Sequence, residues 1–360
     1  MEMIQTRQTA GPTARDLMSE AETIRGSDSV VSAAERLVEV GLPAMPVVDD
    51  DGGVLGFMTN RDIVEAVAQR DLGSVAAQDV VRPVARISVE TPLDRIRELL
   101  REELRLPVVE ETRLVGVITR AEVDAYLALA DELGPNIDYL NLALSPNDFR
   151  GHRFFHGAHL RAGLSALQCV RRAIAEPQRI LDFPCGQGRI LRVLAAAFPA
   201  AEIVACDIER GGVEFCASTF GAKPVYSEED PRALDLGTFD LIWCGSLFTH
   251  LPAERWSWFL ELFHRSLGPD GVLVLTTLSP KGHTTLRRSG LTEEQQDRLA
   301  SGGQFSYVDY EGQRGYGLAL ATTEWVQALL DDHGFNVLRV DPDGWFAPHP
   351  NQDVFTTARS

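Results

Sequence analysis

Three groups of residues in this 360-residue chain have the types and spacing to do chemistry. The first is Asp182-Phe183-Pro184-Cys185-Gly186-Gln187-Gly188, with Asp207 following 19 residues after Gly188. Glycines let a ligand approach the backbone where a side chain would collide. A helix start beyond them offers free amides to a polar group, and a carboxylate such as Asp207 accepts hydrogen bonds from two ribose hydroxyls. The second group is His250, at the end of Ser246-Leu247-Phe248-Thr249-His250. Its imidazole can take up a proton near neutral pH, or it can simply cap or pack against the helix that follows. The third is Thr59 with Asp62, echoed by Thr119 with Glu122. A hydroxyl and a carboxylate three residues apart at a helix start can cap that helix, and a carboxylate can also accept hydrogen bonds from a ligand.

Several rival chemistries are disfavoured by the same residues. A dinucleotide fingerprint wants a third glycine where the chain has Leu191. A triphosphate loop would end in Gly-Lys-Ser/Thr, whereas this one ends in Gly188-Arg189. His152, His156 and His159 share one helix face, but no cysteine or carboxylate nearby supports a metal, so none is expected. Asp49-Asp50-Asp51 lacks the alternating ligands of a calcium loop and reads as a solvated turn.

The elements that must position these groups follow from hydrophobic spacing. In the first 130 residues, Pro46-Val47-Val48-Asp49 recurs as Pro107-Val108-Val109-Glu110, and Gly56-Phe57-Met58-Thr59 recurs as Gly116-Val117-Ile118-Thr119. A helix precedes each hairpin, over Ser29 to Val40 and from Leu93 to Leu100, and another follows at 61–69 and 120–131. Each copy therefore reads strand, helix, strand, strand, helix. Gly134-Pro135 and Ser145-Pro146-Asn147-Asp148 mark a linker, which places domains at 1–133 and 134–360.

After residue 177, strands and helices alternate. The pattern predicts strands at Arg179 to Phe183, Ala201 to Asp207, Pro224 to Ser227, Asp240 to Cys244 and Val272 to Leu278. It predicts helices at Gly186 to Ala197, Gly212 to Phe220 and Trp256 to Leu267. Such alternation implies a parallel sheet with ligands at the carboxyl ends of its strands. An insertion, Ser279 to Ala321, starts with a polar helix and then turns rich in glycine and tyrosine, with Tyr307, Tyr310 and Tyr316. Tyr310 and Tyr316 there suit a small-molecule pocket or, equally, a local core. A helix at Thr323 to His333 and strands at Phe335 to Val340 and Asp353 to Thr357 complete the pattern.

Over residues 14–130 the sequence resembles a tandem pair of CBS domains, most specifically in Gly56 to Asp62. The resemblance implies that Thr59 and Asp62 hold the ribose of an adenine nucleotide, AMP or ATP. Thr119 and Glu122 would form a second site, with Glu where the family has Asp. It also implies a homodimer through the pair.

Over residues 150–360 the sequence resembles the class I S-adenosylmethionine-dependent methyltransferases. The resemblance is carried by Ile180 to Arg189, Val204 to Ile208, Phe239 to Leu251 and Leu267 to Thr276. It implies that Asp182, Cys185, Gly186 and Gly188 surround the methionine part of the cofactor, Asp207 holds its ribose and Ile208 packs on its adenine. Ser227, Cys244 and Ser246 would line the same cleft. Pro184 replaces the family's first loop glycine and removes an amide donor. The fold expected is α/β, a Rossmann-like methyltransferase sheet behind an α+β CBS pair. The activity expected is methyl transfer to a small molecule, with His250 as base and the CBS pair regulating or dimerising the enzyme. A sensor that binds nucleotide and cofactor without turnover is the alternative.

Composition narrows the partners. The formal charge is -18, from 34 Lys+Arg and 52 Asp+Glu, and residues 1–130 and 131–360 each carry -9. Neither half offers the clustered positive charge that a nucleic acid requires. No apolar run is long enough to span a membrane, and Met1 to Gln5 lacks the features of a secretory signal. Five cysteines without a Cys-x-x-Cys pair suit a reducing cytoplasm.

Overall fold

The computed structural model describes residues 11–69, 75–148, 156–280, 291–301, 303–346 and 351–360. Backbone contacts divide the chain into two units: Thr9–Ala128 with Asp148–Ala158, and Leu129–Asn147 with His159–Ser360. Among the described residues, no helix is long and apolar enough to cross a membrane.

The first unit is built twice. Its elements are α1 (Ala14–Leu17), β1 (Ile24–Arg25), α2 (Val30–Val40), β2 (Ala44–Val48), β3 (Val54–Thr59) and α3 (Asn60–Gln69), then β4 (Ile87–Ser88), α4 (Leu93–Leu99), β5 (Arg105–Glu110), β6 (Arg113–Thr119) and α5 (Arg120–Leu133). Ser29 caps α2 by accepting from the Ser32 amide, and Gly41 closes that helix in the left-handed region. Each copy forms a three-stranded sheet, β1-β2-β3 or β4-β5-β6, with a parallel first pair and an antiparallel second pair.

The copies are not self-contained. Ser19 exchanges backbone hydrogen bonds with Val117 of the second copy, at 3.0 and 2.9 Å, and the Ala14 amide donates to Thr91. Conversely, the stretch after the first copy returns to it, with the Val30 amide donating to Val75 and the Ala77 amide to Asp28. Each copy thus borrows an edge segment from sequence outside its own repeat, a feature that the spacing alone did not reveal.

The second unit continues with α6 (His156–Ala173), β7 (Arg179–Asp182), α7 (Leu191–Ala197), β8 (Glu202–Asp207), α8 (Arg210–Phe220), β9 (Lys223–Tyr226), β10 (Phe239–Cys244), α9 (Ala253–Ser266) and β11 (Leu267–Thr277). It ends with α10 (Glu293–Ser301), β12 (Phe305–Tyr310), β13 (Gln313–Ala321), α11 (Thr323–Asp332), β14 (Phe335–Trp345) and β15 (Gln352–Arg359). One seven-stranded sheet runs in the order β14-β15-β11-β10-β7-β8-β9. Strands β11 through β9 in that list are mutually parallel, and β15 is antiparallel to both its neighbours. Chain order reverses beside β7, which lies between β8 and β10, and this opens a crevice at its carboxyl end.

Several expected boundaries differ: the helix expected from Trp256 begins at Ala253, and the strand expected to end at Val340 runs to Trp345. The helix expected from Gly186 begins only at Leu191, because Gly186 and Gly188 adopt φ values of +49° and +74° and hold the stretch in a turn. The fifth strand begins not at Val272 but at Leu267, which pairs with Phe239 before a register shift lets β11 continue. The glycine- and tyrosine-rich part of the insertion is a β-hairpin, β12 with β13.

The close approach of α8 to the turn after β7 leaves no room at Gly212, where a Cβ would stand 2.2 Å from the Gly186 carbonyl oxygen. Gly212→Ala should therefore destabilise this unit by about 1–3 kcal/mol. Thermal unfolding of the variant against the parent measures the loss; an unchanged melting temperature would contradict the packing.

Candidate active site

The floor of the crevice is acidic. Asp182 ends β7 with 1% of its surface exposed, and among the described residues neither carboxyl oxygen has a hydrogen-bond partner. Burial pushes its carboxyl well above the usual carboxylate range, and the neighbouring Asp207 charge adds to the effect. Asp207, at the end of β8, accepts from the Gly186 amide at 2.8 Å and the Glu209 amide at 2.9 Å. Burial raises its carboxyl too, against the lowering effect of those amides and that of Ile208. The three amides leave the Asp207 carboxylate a remaining lone-pair site for a ligand hydroxyl.

Ile208 stands beside Asp207 with 58% of its surface exposed, an apolar side chain left open at the strand end. Gly186 has open space where a Cβ would point, whereas a Cβ at Gly188 would lie 2.6 Å from the Phe220 ring. Gly186 is therefore the position at which the backbone lies open, and Gly188 serves helix packing. The buried Arg192 guanidinium donates to the Gly188 carbonyl at 3.2 Å and the Leu142 carbonyl at 3.4 Å, tying the loop to the linker segment. Ser227 sits next to Asp207, its amide donating to the Asp207 carbonyl at 2.8 Å.

The cysteines near the loop are buried. Cys185 points its thiol at the Gly186 carbonyl from 3.6 Å, and Cys216 approaches the same oxygen at 4.0 Å. Its hydrogen bond with Cys216, and then burial, push the Cys185 thiol up. Cys244 has no exposed surface and belongs to the core cluster with Phe183, Phe248 and Phe263, so burial holds its thiol protonated. It presents no surface to a ligand in this structure.

A polar ring lies across the crevice, at the end of β10. Ser246 has a φ of +63°, which is strained for a residue with a side chain. Its amide donates to Thr276 Oγ1 at 2.8 Å, its carbonyl accepts from Thr249 Oγ1 at 2.9 Å, and its hydroxyl accepts from Gln352 Nε2 at 2.9 Å. Thr276 closes the ring by donating to Gln352 Oε1 at 2.6 Å. Thr249, Thr276 and Gln352 are each at most 3% exposed. Sequence reasoning missed Thr276 and Gln352, since their partners lie 30 and 106 residues from them in the chain.

The hairpin brings both tyrosines to His250. His250 Nδ1 lies 2.9 Å from the Gly317 carbonyl oxygen and 3.3 Å from the Tyr310 hydroxyl. Tyr316 stacks on the imidazole at 5.0 Å between ring centroids, and Tyr310 meets Tyr316 at 5.7 Å.

In the first unit both Thr–acid pairs cap their helices; the first closes a capping box, with the Asp62 amide donating to Thr59 Oγ1 at 3.3 Å, and in the second the Ala121 amide donates to Thr119 Oγ1 at 3.2 Å. Asp62 Oδ2 accepts from the Thr59 amide at 2.9 Å and from its hydroxyl at 2.5 Å. Glu122 Oε2 accepts from the Thr119 amide at 2.8 Å and also from the Thr119 hydroxyl. Glu122 is 1% exposed, and burial raises its carboxyl, whereas Asp62 is only half-buried. His152 lies outside the described residues, as does the side chain of His156, and His159 is buried. Among the described residues, no three His, Cys, Asp or Glu side chains group to hold a metal.

Family models match this chain in both units. A CBS domain model fits residues 14–69 and 76–129, and a methyltransferase domain model fits 181–273. This chain is a tandem CBS pair joined to a methyltransferase domain. The CBS pair is similar to hypoxic response protein 1 of Mycobacterium tuberculosis (strain ATCC 25618 / H37Rv), at 31% identity over 123 residues, 32% of this chain and 85% of that protein. The methyltransferase domain is similar to the malonyl-[acyl-carrier protein] O-methyltransferase of Gallionella capsiferriformans (strain ES-2), at 31% identity over 127 residues, 32% of this chain and 42% of that enzyme. The crystal structure of the CBS-pair protein CBSX2 from Arabidopsis thaliana covers 34% of this chain and 99% of its own, at 26% identity and a TM-score of 0.31.

The raised carboxyl of Asp182 has a consequence for stability. An acid with a raised folded-state pKa leaves the folded chain holding the extra proton, so stability falls as pH rises from the ordinary carboxylate range to the raised value. Asp182→Asn should therefore melt at a higher temperature than the parent near neutral pH, with the gap closing as pH falls. Differential scanning calorimetry across that range is the check; a lower melting temperature at neutral pH would refute the burial penalty.

Proposed function

We propose that this protein transfers a methyl group from S-adenosylmethionine to a small-molecule acceptor, and that its CBS pair binds an adenine nucleotide and joins two copies. The observation that carries the first part is the buried, unpartnered carboxyl of Asp182 beside Asp207. Two acids on one crevice floor suit a ligand that brings positive charge and ribose hydroxyls together. The cofactor supplies an electrophilic methyl group on a sulfonium. Asp182 and the open backbone at Gly186 receive its amino-acid end, Asp207 and Ser227 its ribose edge, and Ile208 one face of its adenine.

The chain's own part in transfer is alignment, exclusion of water and removal of a proton. The polar ring around Ser246 presets the loop after β10, and His250 accepts the proton from the acceptor's hydroxyl or amine. Tyr310 and Tyr316 form the aromatic wall against which that acceptor lies. The matched methyltransferase relatives are enzymes, which favours turnover over the sensor reading.

Of the two Thr–acid pairs, the first is the better nucleotide site, because Asp62 reaches the surface and Glu122 does not. Isothermal titration of the full chain with S-adenosylmethionine and with AMP tests both halves. Asp182→Asn should weaken the first ligand by about 1.5–3 kcal/mol, roughly tenfold to a hundredfold. Asp62→Asn should abolish AMP heat, and Glu122→Gln should leave it. Absence of heat with S-adenosylmethionine in the parent would refute the transferase reading.

The dimer is supported by an apolar groove of about 540 Å³ in the first copy, lined by Val30, Val31, Ala34, Val38 and Ile63 with Glu35 and Glu39 at its side. Val38 is 82% exposed and Val64, on the neighbouring helix, 66%. The corresponding helix α4 of the second copy carries Asp94–Arg97 and Arg95–Glu98 ion pairs instead. Val38→Glu with Val64→Glu should shift the sedimentation velocity profile from dimer to monomer. A parent that sediments as a monomer would remove the dimer from the proposal.

A further inference from the structure

The β12–β13 hairpin does more than wall the cleft. A carbonyl oxygen can only accept a hydrogen bond, so the 2.9 Å contact between Gly317 O and His250 Nδ1 requires the proton on Nδ1. The Tyr310 hydroxyl, 3.3 Å from the same nitrogen, then also accepts from it. In the neutral ring, Nε2 is left with the lone pair. We propose that the Gly317 carbonyl is the group that orients His250 for catalysis, fixing the Nδ1-protonated tautomer in the place where many catalytic histidines use a carboxylate. This rests on the reading of His250 as the base.

Three further observations support the assignment. Gly317 cannot carry a side chain, because a Cβ there would fall 1.9 Å from the Val308 carbonyl oxygen. The hairpin register that aims its carbonyl is therefore pinned, with Gly317 opposite Asp309. Tyr316, the residue before it, stacks on the imidazole at 28° between planes and limits rotation of the ring. At the other end of the loop, the Thr276 and Gln352 ring fixes Ser246, so the histidine is held from two sides. During transfer the acceptor's O–H or N–H bond breaks, its proton goes to Nε2, and the acceptor's electron pair forms the bond to the methyl while the methyl–sulfur bond breaks and its pair stays on sulfur, leaving a neutral thioether. The imidazolium so formed keeps its Nδ1–H on the Gly317 carbonyl, which stabilises the new charge.

Nitrogen-15 correlation spectra of the histidine rings in the full-length labelled protein test this directly, with His250→Gln to assign the signals. The expected pattern for neutral His250 is a pyrrole-like Nδ1 and a pyridine-like Nε2. Tyr310→Phe should keep that pattern, since the carbonyl remains. Gly317→Ala should move both nitrogens toward values averaged between tautomers. The opposite tautomer in the parent, inversion in Tyr310→Phe alone, or an unchanged pattern in Gly317→Ala would each overturn the proposal. Should Gly317→Ala fail to fold, the parent and Tyr310→Phe still decide it. S-adenosylmethionine titrated into the same parent sample separates the two readings: binding with the wrong tautomer sinks only the orienting role, whereas absent binding sinks the transferase reading itself.

Discussion

The cleft of the second unit depends on how closely helix α8 approaches the turn after β7. Gly212 presses on the Gly186 carbonyl, and Phe220 and Cys216 press on Gly188. With those contacts made, the Gly186 amide reaches Asp207 and the turn is fastened to the end of the neighbouring strand. The two acids are then held side by side at the point where chain order reverses. That arrangement is costly for the isolated protein, because burial disfavours the charged form of both carboxyls and the Asp207 charge adds to the effect at Asp182. It is the kind of local destabilisation expected where a binding site is built into a stable frame.

The first unit shows a different economy. Its duplicated halves exchange edge segments, so that residues 13–19 complete the second copy and residues 75–82 complete the first. The two Thr–acid pairs were open to a capping or a ribose-binding reading, and both do cap their helices. The cap uses one carboxyl oxygen in each case, and burial distinguishes the two positions.

The alternation of strands and helices was legible in the sequence because each strand of the parallel sheet is a short apolar run between turn signals. Asp182, Gly186, Gly188 and Asp207 were legible because they lie within a short stretch at strand ends. The start of α7 was misplaced because apolar spacing cannot distinguish a glycine turn from a first helical turn. The β12–β13 hairpin was not recognised as strands, since its glycines and tyrosines also suit a loop. Thr276, Gln352 and Gly317 left no local signal: each acts on a partner far away in the chain. A single sequence reports such pairs only when they fall within one motif.

The polar ring around Ser246 also sets an order of assembly. Gln352, which completes it, is made 106 residues after Ser246. At about 5–20 residues per second, a ribosome needs roughly 5–20 s to cover that interval. Until the last strand has paired with β11, the Ser246 hydroxyl and the Thr276 hydroxyl lack the Gln352 amide that ties them together. The turn after β7, by contrast, meets α8 much earlier in synthesis, although the Phe183 amide still waits for the Trp243 carbonyl of β10. A nascent chain can therefore bring the ends of β7 and β8, with Asp182 and Asp207, close together well before the loop after β10 is set.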